Sequence, residues 1–220
     1  MTQTLLRVEN ISKRIGRSVA PRAASFSVEK AEIVAFIGEN GSGTSTLMKT
    51  LSGIYKADTG QIYVNEKPIK ITRPQDALAS GIVFIHREPK LFDNLDVGSN
   101  VYLGREPNIL GFINTSEMYR RSQVHLDRVG LAVDARSPLS QLSIAEQQLV
   151  AIARALSQNA KVIVMDQLTA SLKFEETEHL LAVCKKLRSE GISIIYIAHH
   201  LHEIVEIADR VVDLREPALA

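Results

Sequence analysis

Gly38, Glu39, Asn40, Gly41, Ser42, Gly43, Thr44 and Ser45 have the spacing of a phosphate-binding loop, G-x-x-x-x-G-[K]-[ST], with one failure. Glycines let successive backbone N–H groups converge on phosphate oxygens, and a helix opening behind them adds the favourable end of its dipole. Ser45, followed by Thr46, stands where a hydroxyl would ligate Mg2+. Thr44 stands where a lysine ammonium would bridge the outer phosphates. A hydroxyl brings no charge. Losing a charge-assisted bond of roughly 1.5–3 kcal/mol weakens nucleotide binding about tenfold to a hundredfold or more, yet leaves the backbone cradle. Taken alone, the segment also reads as a glycine-rich turn without a ligand.

A second constellation closes the apolar run Lys161-Val162-Ile163-Val164-Met165-Asp166-Gln167. A carboxylate at a strand's carboxyl end, as Asp166 would be, can hold the water shell of Mg2+ beside Ser45. Gln167 occupies the place where a carboxylate would orient and deprotonate an attacking water. An amide orients water but takes no proton, and loss of a general base typically removes roughly a hundredfold to ten-thousandfold of rate. A core strand with a polar end is the alternative reading. His199, His200 and His202 cluster further on, but no carboxylate or cysteine shares a metal-like spacing with them, which favours histidines at a helix start over a metal site.

The elements that must position these residues are legible in outline. β-branched runs at 33–37, 82–85, 162–165 and 194–197 are apolar on both faces and predict buried parallel strands. Helical patterns occupy 45–53, 116–129, 143–157, 175–190 and 201–209, giving an α/β layout. Segments 5–8, 24–28 and 61–64 predict a small antiparallel layer. Between about 92 and 160 there are helical signals and no convincing strand, so a helical insert is expected in an α/β core. Neither repeats nor low-complexity tracts occur.

The 220 residues are 45% hydrophobic and 23% charged, enough for one filled core and too ordinary for a disordered chain. Lys+Arg 26 against Asp+Glu 25 leaves +1, so no field announces nucleic acid or an anionic membrane. Trp is absent and aromatics are 5%, which argues against stacking platforms for single strands. Cys184 sits alone in an apolar helical pattern, where packing is its expected role. The charged N-terminal residues Arg7, Glu9, Lys13 and Arg14 do not suit a signal peptide, and apolar runs stay strand-sized, so a cytoplasmic chain is expected.

Three segments in order, residues 38–46, Leu142-Ser143-Ile144-Ala145-Glu146-Gln147-Gln148 and residues 162–172, resemble the ATP-binding subunit of an ABC transporter over nearly the whole chain. Ser52-Gly53-Ile54-Tyr55, Leu103-Gly104-Arg105-Glu106 and Ile195-Tyr196-Ile197-Ala198-His199-His200-Leu201 look like the branch of ribose- and galactose-type monosaccharide importers. The resemblance implies a P-loop NTPase core with a small antiparallel β layer and a helical subdomain. One nucleotide-binding domain would span 1–220, with an α/β core at about 1–90 and 160–220 and the insert at about 91–159. It implies ATP and Mg2+, a second nucleotide-binding domain from a like or separate chain, a membrane permease at the inner face of the cell membrane and, indirectly, a sugar-binding protein.

Residue by residue, the resemblance makes His199 the switch histidine at the γ-phosphate. It makes Ser143 and Glu146 the start of the signature helix that faces a partner's nucleotide. Ser143 with Glu146 three residues on is equally a helix capping box. Ala145 replaces a glycine whose bare backbone lets that phosphate approach. Arg87 stands where the family presents glutamine to Mg2+, and such a cation either partly replaces the missing lysine or turns to solvent. Ile15 replaces an adenine-stacking aromatic, Lys30-Ala31 a Pro-Gly turn, Leu168 a proline, and Lys173 ends an altered loop. These departures predict weak or absent hydrolysis, so a non-catalytic protein partner is the rival reading.

Overall fold

The computed structural model describes residues 3–14, 23–37, 44–198 and 200–213. Along the chain, β1 (Thr4–Ser12), β2 (Ala24–Glu29) and β3 (Ile33–Ile37) precede α1 (Thr44–Leu51). Next come β4 (Thr59–Val64), β5 (Lys67–Ile69), α2 (Pro74–Ala79) and β6 (Ile82–Ile85). The middle carries α3 (Val97–Tyr102), β7 (Asn108–Ile109), β8 (Phe112–Ile113), α4 (Thr115–Arg128) and α5 (Ile144–Ser157). The last stretch holds β9 (Val162–Asp166), α6 (Phe174–Ser189), β10 (Ser193–Ile197), α7 (Leu201–Ile207) and β11 (Arg210–Asp213). Contacts divide the chain into two units, one of residues 1–84, 160–167 and 184–220, the other of 85–159 and 168–183.

In the first unit, two sheets share a core. The antiparallel one has the order β2-β1-β4-β5, with Leu6 opposite both Val28 and Val64. The other has the order β11-β3-β10-β9-β6, and its β11/β3, β3/β10 and β10/β9 pairs are parallel. Every residue of β10 is buried, as are the first four of β3 and of β9, which is why these runs read as apolar on both faces. Leu6, Val8 and Val28 of one sheet and Val34, Phe36 and Ile195 of the other belong to one apolar cluster. Phe26 meets Phe36 edge to face, with centroids 4.8 Å apart. Cys184 is fully buried with its Sγ 3.6 Å from Met165 Sδ, and burial pushes its thiol up to about 12.

The second unit is built on α3, α4 and α5, which pack on one another. Each starts at a side-chain cap: Asp96 accepts from Ser99 N at 2.6 Å, Asn114 from Glu117 N at 3.1 Å and Ser143 from Glu146 N at 3.3 Å. Gly98 lets α3 close on α4, because a Cβ there would lie 2.7 Å from the Tyr119 ring. The expectation of a strand-free insert is corrected here, since β7 and β8 form an antiparallel hairpin between α3 and α4. Leu110 and Gly111 close it with φ of 53° and 86°, the backbone of a tight hairpin turn. Strands of two residues, flanking Leu-Gly rather than Asn-Gly, leave no alternating pattern to detect. Among the described residues, no helix is long and apolar enough to cross a membrane.

Candidate functional site

The carboxyl ends of three neighbouring parallel strands set the geometry. In register, Ile197 of β10 lies opposite Phe36 of β3 on one side and Asp166 of β9 on the other. Adjacent strands lie about 4.8 Å apart, so Asp166 is about 10 Å across the sheet from the end of β3. From that end the chain runs through residues 38–43 to α1. Ligands of parallel sheets collect outside such strand ends. Gly38, Glu39, Asn40, Gly41, Ser42 and Gly43, together with His199 and Ile15, lie outside the described residues.

Thr44, Ser45 and Thr46 open α1, with Ser45 exposed and its neighbours half-buried. Leu47, Met48 and Leu51 bury the opposite face in the core, and Thr50 Oγ1 donates to the Thr46 carbonyl at 2.8 Å. No acidic residue occupies the first turn and Lys49 sits in the last, so no side chain of the helix cancels the positive end of its dipole. Asp166 is half-buried. Gln167 follows with φ 52°, a left-handed conformation uncommon outside glycine, and its N–H donates to the Ile197 carbonyl at 3.0 Å. Ser45 hydroxyl and Asp166 carboxylate are hard oxygen donors, the type that suits Mg2+.

In the second unit, Ser143 caps α5 with a complete capping box. Ser143 N and Oγ both donate to Glu146 Oε2, at 2.8 and 2.9 Å, while Glu146 N donates to Ser143 Oγ. Ser143 is exposed, and Ala145 and Glu146 are partly so. All three line an open pocket of about 470 Å3 whose other walls include Leu131, Glu175, Glu176 and His179. Glu146, Glu175 and Glu176 line the interior of this pocket, so an anion would meet the exposed Ser143 at the start of α5 rather than enter the pocket itself. Arg87 is exposed, and its backbone carbonyl accepts from Gln148 Nε2 of α5 at 3.0 Å. Residue type and spacing do not single out Gln148 and Asn100, two buried amides of this unit, because their partners are backbone groups, Arg87 O for Gln148 and Phe92 N and O for Asn100.

A family model described as ABC transporter matches residues 22–170. The chain belongs to the ABC transporter family. Residues 38–46, Arg87, Ser143 to Glu146 and Asp166 with Gln167 all fall within this match, and His199 falls beyond it. Among curated relatives, the chain is 43% identical to a ribose import ATP-binding protein of Escherichia coli O157:H7 over 212 residues, covering 96% of this chain and 42% of that one. It is also 43% identical to a putative ribose/galactose/methyl galactoside import ATP-binding protein of Agrobacterium fabrum, covering 93% and 40%. The chain thus spans about two fifths of the length of these relatives. A nucleotide-free ATP-binding cassette from an ABC transporter superposes with a TM-score of 0.82 at 28% identity, covering 96% of this chain and 88% of that one. A cassette in its ADP conformation matches with a TM-score of 0.82 at 27% identity, covering 96% and 87%. The fold is the α/β P-loop NTPase fold of ABC cassettes.

Proposed function

We propose that the chain is the ATP-binding component of a ribose/galactose-type monosaccharide import system, acting at the cytoplasmic face of an integral membrane permease and impaired in hydrolysis. The similarity to ribose import ATP-binding proteins across 96% of the chain carries this reading. The chain serves as one nucleotide-binding domain, an α/β core with a helical insert. A second such domain, from the same or another chain, completes the ATP sites. A sugar-binding protein participates through the permease, and the net charge of +1 gives no support to a nucleic-acid partner.

In this reading, residues 38–43 and the α1 N-terminus cradle the phosphates of ATP, with Thr44 contributing a hydroxyl only. Ser45 and Asp166 hold Mg2+, which supplies positive charge against the outer phosphates. Gln167 orients the attacking water without deprotonating it, and His199 contacts the γ-phosphate. Ser143, Ala145 and Glu146 face the nucleotide of the partner domain, and Arg87 adds a cation near the phosphates. A second reading, a non-catalytic partner that docks on a permease or another ATPase, is favoured by the lost lysine and the lost general base together.

Titration calorimetry with ATP, with and without Mg2+, tests both on the native chain and on Thr44→Lys/Gln167→Glu. Native binding supports the ATP-binding reading, and binding without Mg2+ that Arg87→Ala abolishes supports the role of Arg87. Absence of native binding, with recovery in the double substitution, supports the non-catalytic partner.

A further inference from the structure

Between β6 and α3 the chain has no regular secondary structure, yet two buried amides and a half-buried arginine hold its backbone. Gln148 Nε2 donates to the Arg87 carbonyl at 3.0 Å, and Arg154 Nη1 donates to the Lys90 carbonyl at 3.1 Å. Asn100 of α3 takes both backbone groups of Phe92, its Oδ1 accepting from the N–H at 2.8 Å and its Nδ2 donating to the carbonyl at 3.1 Å. Two of these three anchors project from α5, the helix whose first turn carries Ser143, Ala145 and Glu146.

Gln148 stands out among them. It is 2% exposed, and its Oε1 is buried without a hydrogen-bond partner. Leucine or methionine would fill the same space without an orphan acceptor, so packing alone gives no reason for an amide. Reversing the amide would set its oxygen against the Arg87 carbonyl, so the one bond it makes fixes its orientation. That bond acts on the position of an exposed loop.

We propose that Gln148, assisted by Arg154, is a positioning residue that fixes the loop bearing Arg87 to α5, so that Arg87 and the segment from Ser143 to Glu146 shift as one body. The proposal rests on the function given above only for the assignment of these groups to nucleotide. A nitroxide on Glu88→Cys reports the loop directly, because Glu88 is exposed while the native Cys184 is fully buried and escapes labelling.

Electron paramagnetic resonance of the full chain, without nucleotide, is compared in the Gln148, Gln148→Met and Gln148→Glu backgrounds. Gln148→Met is expected to speed nitroxide motion roughly threefold while the melting temperature holds. Gln148→Glu is expected to keep the loop slow at low pH, where the neutral acid donates its O–H to the Arg87 carbonyl. It should release the loop as pH rises, because a carboxylate has no proton to donate. A packing role would give neither the selective release nor the pH profile. Equal motion in all three backgrounds, or a Gln148→Glu profile matching that of Gln148→Met, overturns the proposal. Should Gln148→Met fail to fold, Arg154→Met and the Gln148→Glu series carry the test. ATP binding and loop motion are separate readouts, so either reading can fail alone.

Discussion

Replacing Asn100 measures how much the second unit depends on one buried amide. Asn100 is fully buried, accepts from Phe92 N and donates to the carbonyls of Phe92 and Asp96. The two carbonyls keep other partners when the side chain is cut to alanine, because Leu95 N also donates to Phe92 O and Asn100 N to Asp96 O. Only the Phe92 N–H is left without a partner. One orphaned donor and a small cavity give an expected loss of about 2–3 kcal/mol for Asn100→Ala. For a chain of this size that lowers the melting temperature by roughly 5–10 °C.

Asn100→Asp separates hydrogen bonding from shape. It keeps the acceptor for Phe92 N but sets an ionised oxygen against two carbonyls in a buried site, so its pKa rises above the usual aspartate range. A carboxyl raised in the folded state contributes its full stability below the unfolded value of about 3.9 and loses it as pH climbs toward the folded value. Urea unfolding should therefore find Asn100→Asp near the parent at about pH 4 and falling behind by up to about 1.4 kcal/mol for each pH unit above that. A loss under about 1 kcal/mol in the alanine variant, or a pH-independent deficit in the aspartate variant, refutes the reasoning.

Further outcomes can be measured on the same protein. Ala31 holds φ 57° at the turn into β3, so Ala31→Gly should add about 0.5–1 kcal/mol in urea unfolding, the relief of left-handed strain less the chain entropy of glycine. Hydrogen bonds from Arg120 and Arg121 hold the Glu117 carboxyl at about 2, against an ordinary value of 4.5. Its stabilisation is present above 4.5 and lost as pH falls toward 2, so the advantage of the parent over Glu117→Gln should shrink across that interval in acid-unfolding curves. Ser143→Ala removes the capping box of α5 and should cost about 1 kcal/mol, seen as a melting temperature about 2–4 °C lower. Thr44→Lys alone should tighten ATP binding by about tenfold to a hundredfold in calorimetry.

What was legible in the sequence followed from burial. The strands β3, β9 and β10 announce themselves because nearly every residue is enclosed, and α5 because Ser143 and Glu146 spell its cap before the apolar face begins. The edge strand β11 went unread: Val211 is exposed and Arg210 turns back to Glu32, so its composition resembles a surface tail. Helices α2 and α3, six residues each, are too short to show a period. Of the candidate site, residue types and order were readable, whereas the pairing of Gln148 with the Arg87 carbonyl was not. A backbone acceptor 61 residues away leaves no trace in the identity of either residue.

The placement of β3 also governs the order in which the protein can be made. Its two neighbours in the sheet, β10 and β11, come from the far end of the chain, while β1, β2, β4 and β5 are complete among themselves by Ile69. The antiparallel layer can therefore assemble early on the ribosome, but β3 waits for residue 193 and later with both edges unpaired. At roughly 5–20 residues per second, that wait lasts about ten to thirty seconds, during which a bare apolar strand is open to wrong partners. The strand order of this sheet thus makes the interval before β10 emerges the one in which β3 is most open to mispairing.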